Sequence, residues 1–283
     1  MMDRTHAGEQ LSYSIPEPEE LQHLYRAQHG LLPPEIDVRR LKRVLHLSYG
    51  DLAWAPALAR AHPSISVVAL FASPQALAAC WQQLDLATLR RLSIAEIDLG
   101  GAIPFSADFF DLVHLFLMGP LLHPAAWPAL LHECRRVLRP RGQINIVAVL
   151  IGPSSSAAYQ SLRSLAAAAW QALGYSFASV EGGGGGLFVD CGVHLCHLLR
   201  QQGFGQVRYR LYPVDLGGWN NPTGRACSRR LLQDLALQKA LVLAQGGCDE
   251  VTYAMLLTEA ERDLDAEAFC ASGALISVTA RKR

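Results

Sequence analysis

The chain lacks several features that would assign its class at once. It has no excess of either charge, since 25 Lys and Arg face 25 Asp and Glu. Without a basic excess there is no long-range attraction to nucleic acid or to an anionic membrane, so neither is expected as a partner. A small-molecule substrate or a protein partner is favoured instead. Long apolar runs are also missing. The longest uncharged stretch, residues 61–84, is interrupted by Pro63, Pro74 and several Ser and Gln. It reads as strand, turn and helix, not as a membrane span. The opening MMDRTHAGEQ has no apolar segment of the signal-peptide kind, so no signal peptide is expected. The seven cysteines (Cys80, Cys134, Cys191, Cys196, Cys227, Cys248 and Cys270) are odd in number and scattered through helical patterns. That excludes a disulfide framework and favours a reducing, cytoplasmic setting.

What is present describes a globular chain. Over 283 residues, 51% are hydrophobic and 18% charged, enough for a sizeable core. Residues 1–12 read as a frayed leader. YSIPEPEELQHLYRAQHGLL (13–32) gives a Pro-rich entry and a helix, with Glu17, Glu19 and Glu20 at its positive end and Pro33-Pro34 closing it. Arg43 to Ala59, RVLHLSYGDLAWAPALA, then sets the architecture. An apolar strand, a break at Ser48-Tyr49-Gly50-Asp51 and a helix from about Ala53-Trp54 form a βα unit, whose turn is the expected ligand position.

Further units follow at the spacing of a βαβ fold. Ile65–Phe71 is a continuous apolar run rich in β-branched residues, as in strands buried on both faces. Ser73 and Pro74 predict the start of a helix to about Leu84. Strands are expected at 92–98, 111–117 and 143–150, with a helix at 125–138 and a tight turn at Pro140-Arg141-Gly142. Beyond Ile151 the order changes: an Ala-rich helix over 154–173, capped by Ser154 or Ser155, a glycine run at 182–186, and a helix over 189–202. A strand at 204–212, helices at 225–244 and 249–265, and a last strand at 274–280 complete the chain. The expected fold class is α/β, a doubly wound, mostly parallel seven-stranded sheet with a small helical cap. Its expected parts are an entry helix or lid (1–34), a nucleotide-binding-type core (35–152), and cap helices with the last two strands (153–283).

These residues resemble the class I S-adenosylmethionine-dependent methyltransferases. The first unit parallels V-L-D-x-G-x-G-x-G, VVALFASP (67–74) the second strand, and IPFSADFFDLV (103–113) the segment L-P-F-x-x-x-x-F-D-x-V. RRVLRPRGQINIV (135–147) parallels R-V-L-K-P-G-G-x-L-x-I. The entry segment, Gly203-Phe204 and the Gly217-x-Trp219 loop are similar to methyltransferases related to fungal regulators of secondary metabolism. The resemblance implies a Rossmann-like fold, S-adenosylmethionine as cofactor and a small, natural-product-like acceptor. It places cofactor contacts at His46, Ser48, Gly50, Phe71 and Asp98.

Several of those positions depart from the family pattern. His46 stands where the family has an acid, Ser48 and Leu52 where it has glycines, and Phe71 where an Asp or Glu takes both ribose hydroxyls. Phe accepts no hydrogen bond, and losing such a partner costs on the order of 2–3 kcal/mol. These departures argue that ordinary cofactor binding is weakened or absent. Methyl transfer needs alignment of donor and acceptor and, for hydroxyl acceptors, a base. His114 is the leading base candidate. His46, His123, Tyr13, Tyr25 and His29 are further candidates near the pocket, and Trp219 belongs to the substrate loop. A strand histidine is more often a hydrogen-bonded core residue, so both roles stay open for His114 and His46. Asp111 reads as structural. The Asp190 to His197 cluster cannot bring four ligands together from one helix, so no metal is expected. Two other outcomes stay open: a cofactor-deficient partner or scaffold, as a homodimer or beside an active paralogue, and a repurposed enzyme for cyclisation or rearrangement.

Overall fold

The computed structural model describes residue 26 and residues 30–48, 53–72, 74–116, 122–175, 189–217 and 221–283. Tyr13, Tyr25, His29, Gly50, Leu52 and Trp219 lie outside these, as do Ser73 and the Gly182–Gly186 run. Seven strands form one sheet: β1 (Arg43–Ser48), β2 (Ser66–Phe71), β3 (Leu92–Glu96), β4 (Phe110–Phe116), β5 (Leu138–Ser154), β6 (Phe204–Asp215) and β7 (Ala271–Lys282). Their order is β3-β2-β1-β4-β5-β7-β6. β1 to β5 run parallel, and β7 lies antiparallel between β5 and β6. The doubly wound, mostly parallel sheet expected from the sequence is therefore the observed one.

The helices are α1 (Trp54–Ala61), α2 (Pro74–Gln83), α3 (Leu86–Leu89), α4 (Trp127–Val137), α5 (Ala157–Ala172), α6 (Val189–Gln201), α7 (Pro222–Leu237), α8 (Lys239–Ala244) and α9 (Glu250–Asp265). α1 and α2 cover one face around Val44, Val67, Phe71 and Leu112. α4 and α6 cover the other around Leu45, Val113, Ile144 and Val278. β4 is buried along its whole length, as a strand covered on both faces must be. α5, α7, α8 and α9 pack together as the cap, around Tyr159, Leu162, Leu235 and Tyr253. Among the described residues, no helix is long and apolar enough to cross a membrane.

Several boundaries differ from expectation for local reasons. The segment before β1 turns at Gly30, which takes the left-handed conformation and donates its N–H to Arg26 O, ahead of the two prolines. Pro140-Arg141-Gly142 lies within β5 and not before it. β5 already pairs with β4 at Leu138, and the positive φ of Arg141 accompanies a register shift within the strand. Gly142 is needed there, since a Cβ would lie 2.8 Å from Arg139 O. α5 is capped by Ser156, whose Oγ accepts from Tyr159 N, while Ser155 instead exchanges hydrogen bonds with Cys270. The expected helix over 225–244 is two helices. They break at Gln238, whose side-chain carbonyl accepts from Trp170 Nε1 at 2.8 Å.

Candidate functional site

Parallel pairing puts one residue of each strand at the same level. His46 on β1 is level with His114 on β4, and His114 with Asn145 on β5. Asn145 is in turn level with Thr279 on β7. All four are buried, so a polar row crosses a face that is otherwise apolar on either side. Ser277 Oγ donates to Asn145 Oδ1 at 2.8 Å.

His46 and His114 are fully enclosed, with their Nδ1 atoms 2.9 Å apart. Such a contact needs one proton between the two nitrogens. Two lone pairs would repel, and so would two N–H groups. One ring therefore donates from Nδ1 and the other accepts, and the accepting ring carries its own proton on Nε2. Trp54, in the first turn of α1, stacks on His114 with ring centroids 3.9 Å apart and planes 8° from parallel. It also covers His46, at 4.9 Å. Trp54 is itself held by its Nε1–H to Leu31 O, 2.7 Å.

The next level lies toward the C-terminal edge of the sheet. Ser48 there is 1% exposed, and its carbonyl accepts from Ala72 N. Phe71, level with Ser48, is fully buried in the apolar cluster of Trp54, Leu58, Ala69 and Cys80. A core residue thus ends β2. On the neighbouring strand Phe71 is in register with Glu96, whose side chain is exposed. Registered residues of parallel strands project to the same face, about 4.8 Å apart. Glu96 therefore offers a carboxylate one strand away from the position where the family carries its ribose acid. Sequence reasoning missed it, because only the register identifies the match. Asp98 is exposed, with Oδ1 accepting from Gly100 N at 2.9 Å.

His123 is exposed and sits apart from the histidine pair. Its Nδ1 accepts from Ala125 N, capping the short turn of residues 124–126, and its ring meets the edge of Tyr175. Asp111 has the structural role expected of it. Its carboxylate accepts from Lys42 N and Arg43 N and pairs with Arg139 at 2.6 Å, tying β4 to the starts of β1 and β5. The segment leading into β4 is anchored by Glu133 and Arg136. Glu133 accepts from Ile103 N, and Arg136 donates to the carbonyls of Ile103 and Phe105. The Arg136 guanidinium bonded to Glu133 holds that carboxyl below its ordinary value. Among the described residues, no three His, Cys, Asp or Glu side chains gather to hold a metal. A cleft of about 410 Å³ opens where β5 ends and β7 begins, lined by Ser154, Ser155, Asp215, Phe269, Cys270 and Ser272.

The sequence pattern of the methyltransferase domain matches residues 44–142, from β1 to the start of β5. Over these residues the chain is similar to a methyltransferase domain. The sheet order around it is that of the Rossmann-like methyltransferase fold of class I. A phosphoethanolamine N-methyltransferase 2 from Haemonchus contortus, solved with phosphomonomethylethanolamine and S-adenosylhomocysteine, superposes with a TM-score of 0.53 at 12% identity. The match covers 100% of this chain and 60% of that one, so the chain spans less than two thirds of that enzyme. The [4+2]-cyclase SpnF gives a TM-score of 0.48 at 16% identity, covering 85% of this chain and 75% of that one. The S-adenosylmethionine-dependent methyltransferase SibL gives 0.44 at 22%, covering 67% and 52%. These likenesses concern the fold. No curated protein matches the sequence. Within the matched residues lie His46, Ser48, Phe71, Glu96, Asp98 and His114.

Proposed function

We propose that the protein transfers a methyl group from S-adenosylmethionine to a small-molecule acceptor. The observation that carries the reading is the match to a methyltransferase domain over 44–142, with two exposed carboxylates, Glu96 and Asp98, at the C-terminal edge beside Phe71. Of the positions the resemblance assigns, Asp98 fits the cofactor, having an exposed carboxylate that can accept from an amino group of the base. Phe71 does not fit, because a buried phenyl ring accepts nothing from ribose hydroxyls. Glu96, one strand over and on the same face, takes that part in this reading. When bound, the cofactor supplies an electrophilic methyl group on a sulfonium.

His46 and His114 then have separable parts. For His114 to accept a proton, its Nε2 must carry the lone pair. That makes its Nδ1 the donor to His46, with His46 protonated at Nε2. His46 is in this account a positioning residue that sets the His114 tautomer, the part an acid plays beside histidine in other sites. The cleft of about 410 Å³ at the end of β5 has the size of small-ligand pockets.

A second reading comes from a different class. The complete burial of Phe71 and the closed histidine pair favour a domain that has given up the cofactor, serving as a partner subunit or catalysing a cyclisation or rearrangement. Thermal unfolding with and without S-adenosylhomocysteine separates the two. A ligand at a hundredfold excess over Kd adds about 2.7 kcal/mol. A rise in Tm supports methyl transfer; no rise at millimolar ligand supports the second reading.

A further inference from the structure

Net charge conceals how the charges are placed. The N-terminal edge of the parallel strands collects basic residues in spatial order: Arg91 before β3, Lys42 and Arg43 at β1, Arg139 and Arg141 at β5, then Arg281 to Arg283 ending β7. The carboxylates of that edge are already neutralised, Asp37 by Arg39 and Arg40, Asp108 by Lys282, Asp111 by Arg139 and Glu133 by Arg136. Among the described residues, Lys42, Arg43, Arg91, Arg141, Arg281 and Arg283 make no ion pair. Gly205 gives the last of them room, since a Cβ there would lie 2.9 Å from Arg283 Nε. Among the described residues, another group of acids lies on α9 and its flanks: Asp249, Glu250, Glu259, Glu261, Asp263 and Asp265, of which Glu250 and Asp265 pair with Lys239 and Arg229. Asp263 bonds Ser156, just past the opposite end of β5. Among the described residues, this edge of the sheet is cationic.

Apolar side chains stand at one end of that edge. α2 runs back from the C-terminal edge, so its last turn comes down beside the start of β3. Trp81 is 50% exposed there, and Leu86, on α3 just before Arg90 and Arg91, is 82% exposed. Arg60 at the end of α1 reaches the same corner, bonded to Thr88 and Asp85. From Arg91 to Arg283 the row crosses five strand spacings, roughly 24 Å.

We propose that this edge docks on an anionic membrane surface, with Trp81 and Leu86 entering the interface and the guanidinium row resting on lipid phosphates. Cations beside a half-exposed Trp and an exposed Leu are the combination that interfacial binding uses. A row of strand ends offers a straight front for such a surface, and Arg meets phosphate with paired N–H groups. Docking this way leaves the C-terminal edge, with Glu96 and Asp98, facing solvent. This proposal departs from the expectation of no membrane partner, which net charge alone carried.

The full chain should co-sediment with vesicles of phosphatidylcholine containing about one third phosphatidylserine, and not with phosphatidylcholine alone. Because the chain has no net charge, such binding must come from one side of it. Arg141→Glu with Arg283→Glu should weaken binding by at least about tenfold, at roughly fivefold for each cation removed from the surface. Trp81→Ser with Leu86→Ser should weaken it while leaving Tm within a few degrees, both side chains being exposed. Three results would each overturn the proposal: no binding to the anionic vesicles, binding that both double variants retain, or equal binding to soluble polyglutamate. The last would assign the edge to an acidic protein.

Discussion

His46 Nδ1 lies 2.9 Å from His114 Nδ1, two buried rings on adjacent strands joined by a single proton. Nitrogen-15 spectra of the histidine rings should show one of these two Nδ1 atoms protonated and the other not. In the methyl-transfer reading the protonated one belongs to His114. Finding His46 as the donor would remove His114 as a base.

The pair should also be visible energetically. His46→Ala and His114→Ala each remove a fully buried ring and take away the bond of the surviving nitrogen, for about 2–4 kcal/mol of stability. The double variant should cost less than the sum by about 1 kcal/mol, because the shared bond is lost only once. Strict additivity in urea unfolding would show that the two rings are independent.

Phe71→Asp would install the family's ribose acid, yet the position is core. A carboxylate among Trp54, Leu58 and Cys80 leaves a cavity and buries a charge, with an expected loss of about 3–5 kcal/mol. Denaturant midpoints of the variant measure it. A stable Phe71→Asp protein with improved cofactor binding would mean that the end of β2 opens to the ligand.

Much of the fold was legible, and the limits have physical causes. Ile65 to Phe71 reads as a strand because both faces are covered, which leaves a nearly unbroken apolar run. The Arg141 bulge was read as a turn, since Pro and Gly mark both. Ser156 was passed over for Ser154 and Ser155 because three consecutive serines make equal caps on paper. His46 and His114 were both named from the sequence, but their bond spans 68 residues and depends on strand register. Glu96 carried no motif. The cationic edge was invisible in a net charge of zero, since residues far apart in sequence meet along it.

Acid should loosen the segment entering β4. The Glu133 carboxyl, held below its ordinary value by Arg136, adds stability above that value and loses it as pH falls through the depressed one. Hydrogen exchange at Ile103 N–H, bonded to Glu133 at 2.8 Å, should therefore accelerate relative to the β4 core below about pH 4. Glu133→Gln should lower Tm by a few degrees at neutral pH, about 1 kcal/mol, and flatten this acid dependence. An unchanged pH profile in the variant would assign the loosening to another group.

In the methyl-transfer reading, residues 44–142 hold S-adenosylmethionine, with Glu96 in place of the missing ribose acid. Calorimetric titration of the purified protein tests it most directly, beside Glu96→Ala, whose exposed side chain can be removed without unfolding. A saturable single-site isotherm is expected for the unaltered chain. Binding should be at least about tenfold weaker in Glu96→Ala, the loss of one hydrogen bond to a charged group. No heat of binding at millimolar ligand would contradict the methyltransferase reading, and an unchanged Kd in Glu96→Ala would contradict the role given to that carboxylate.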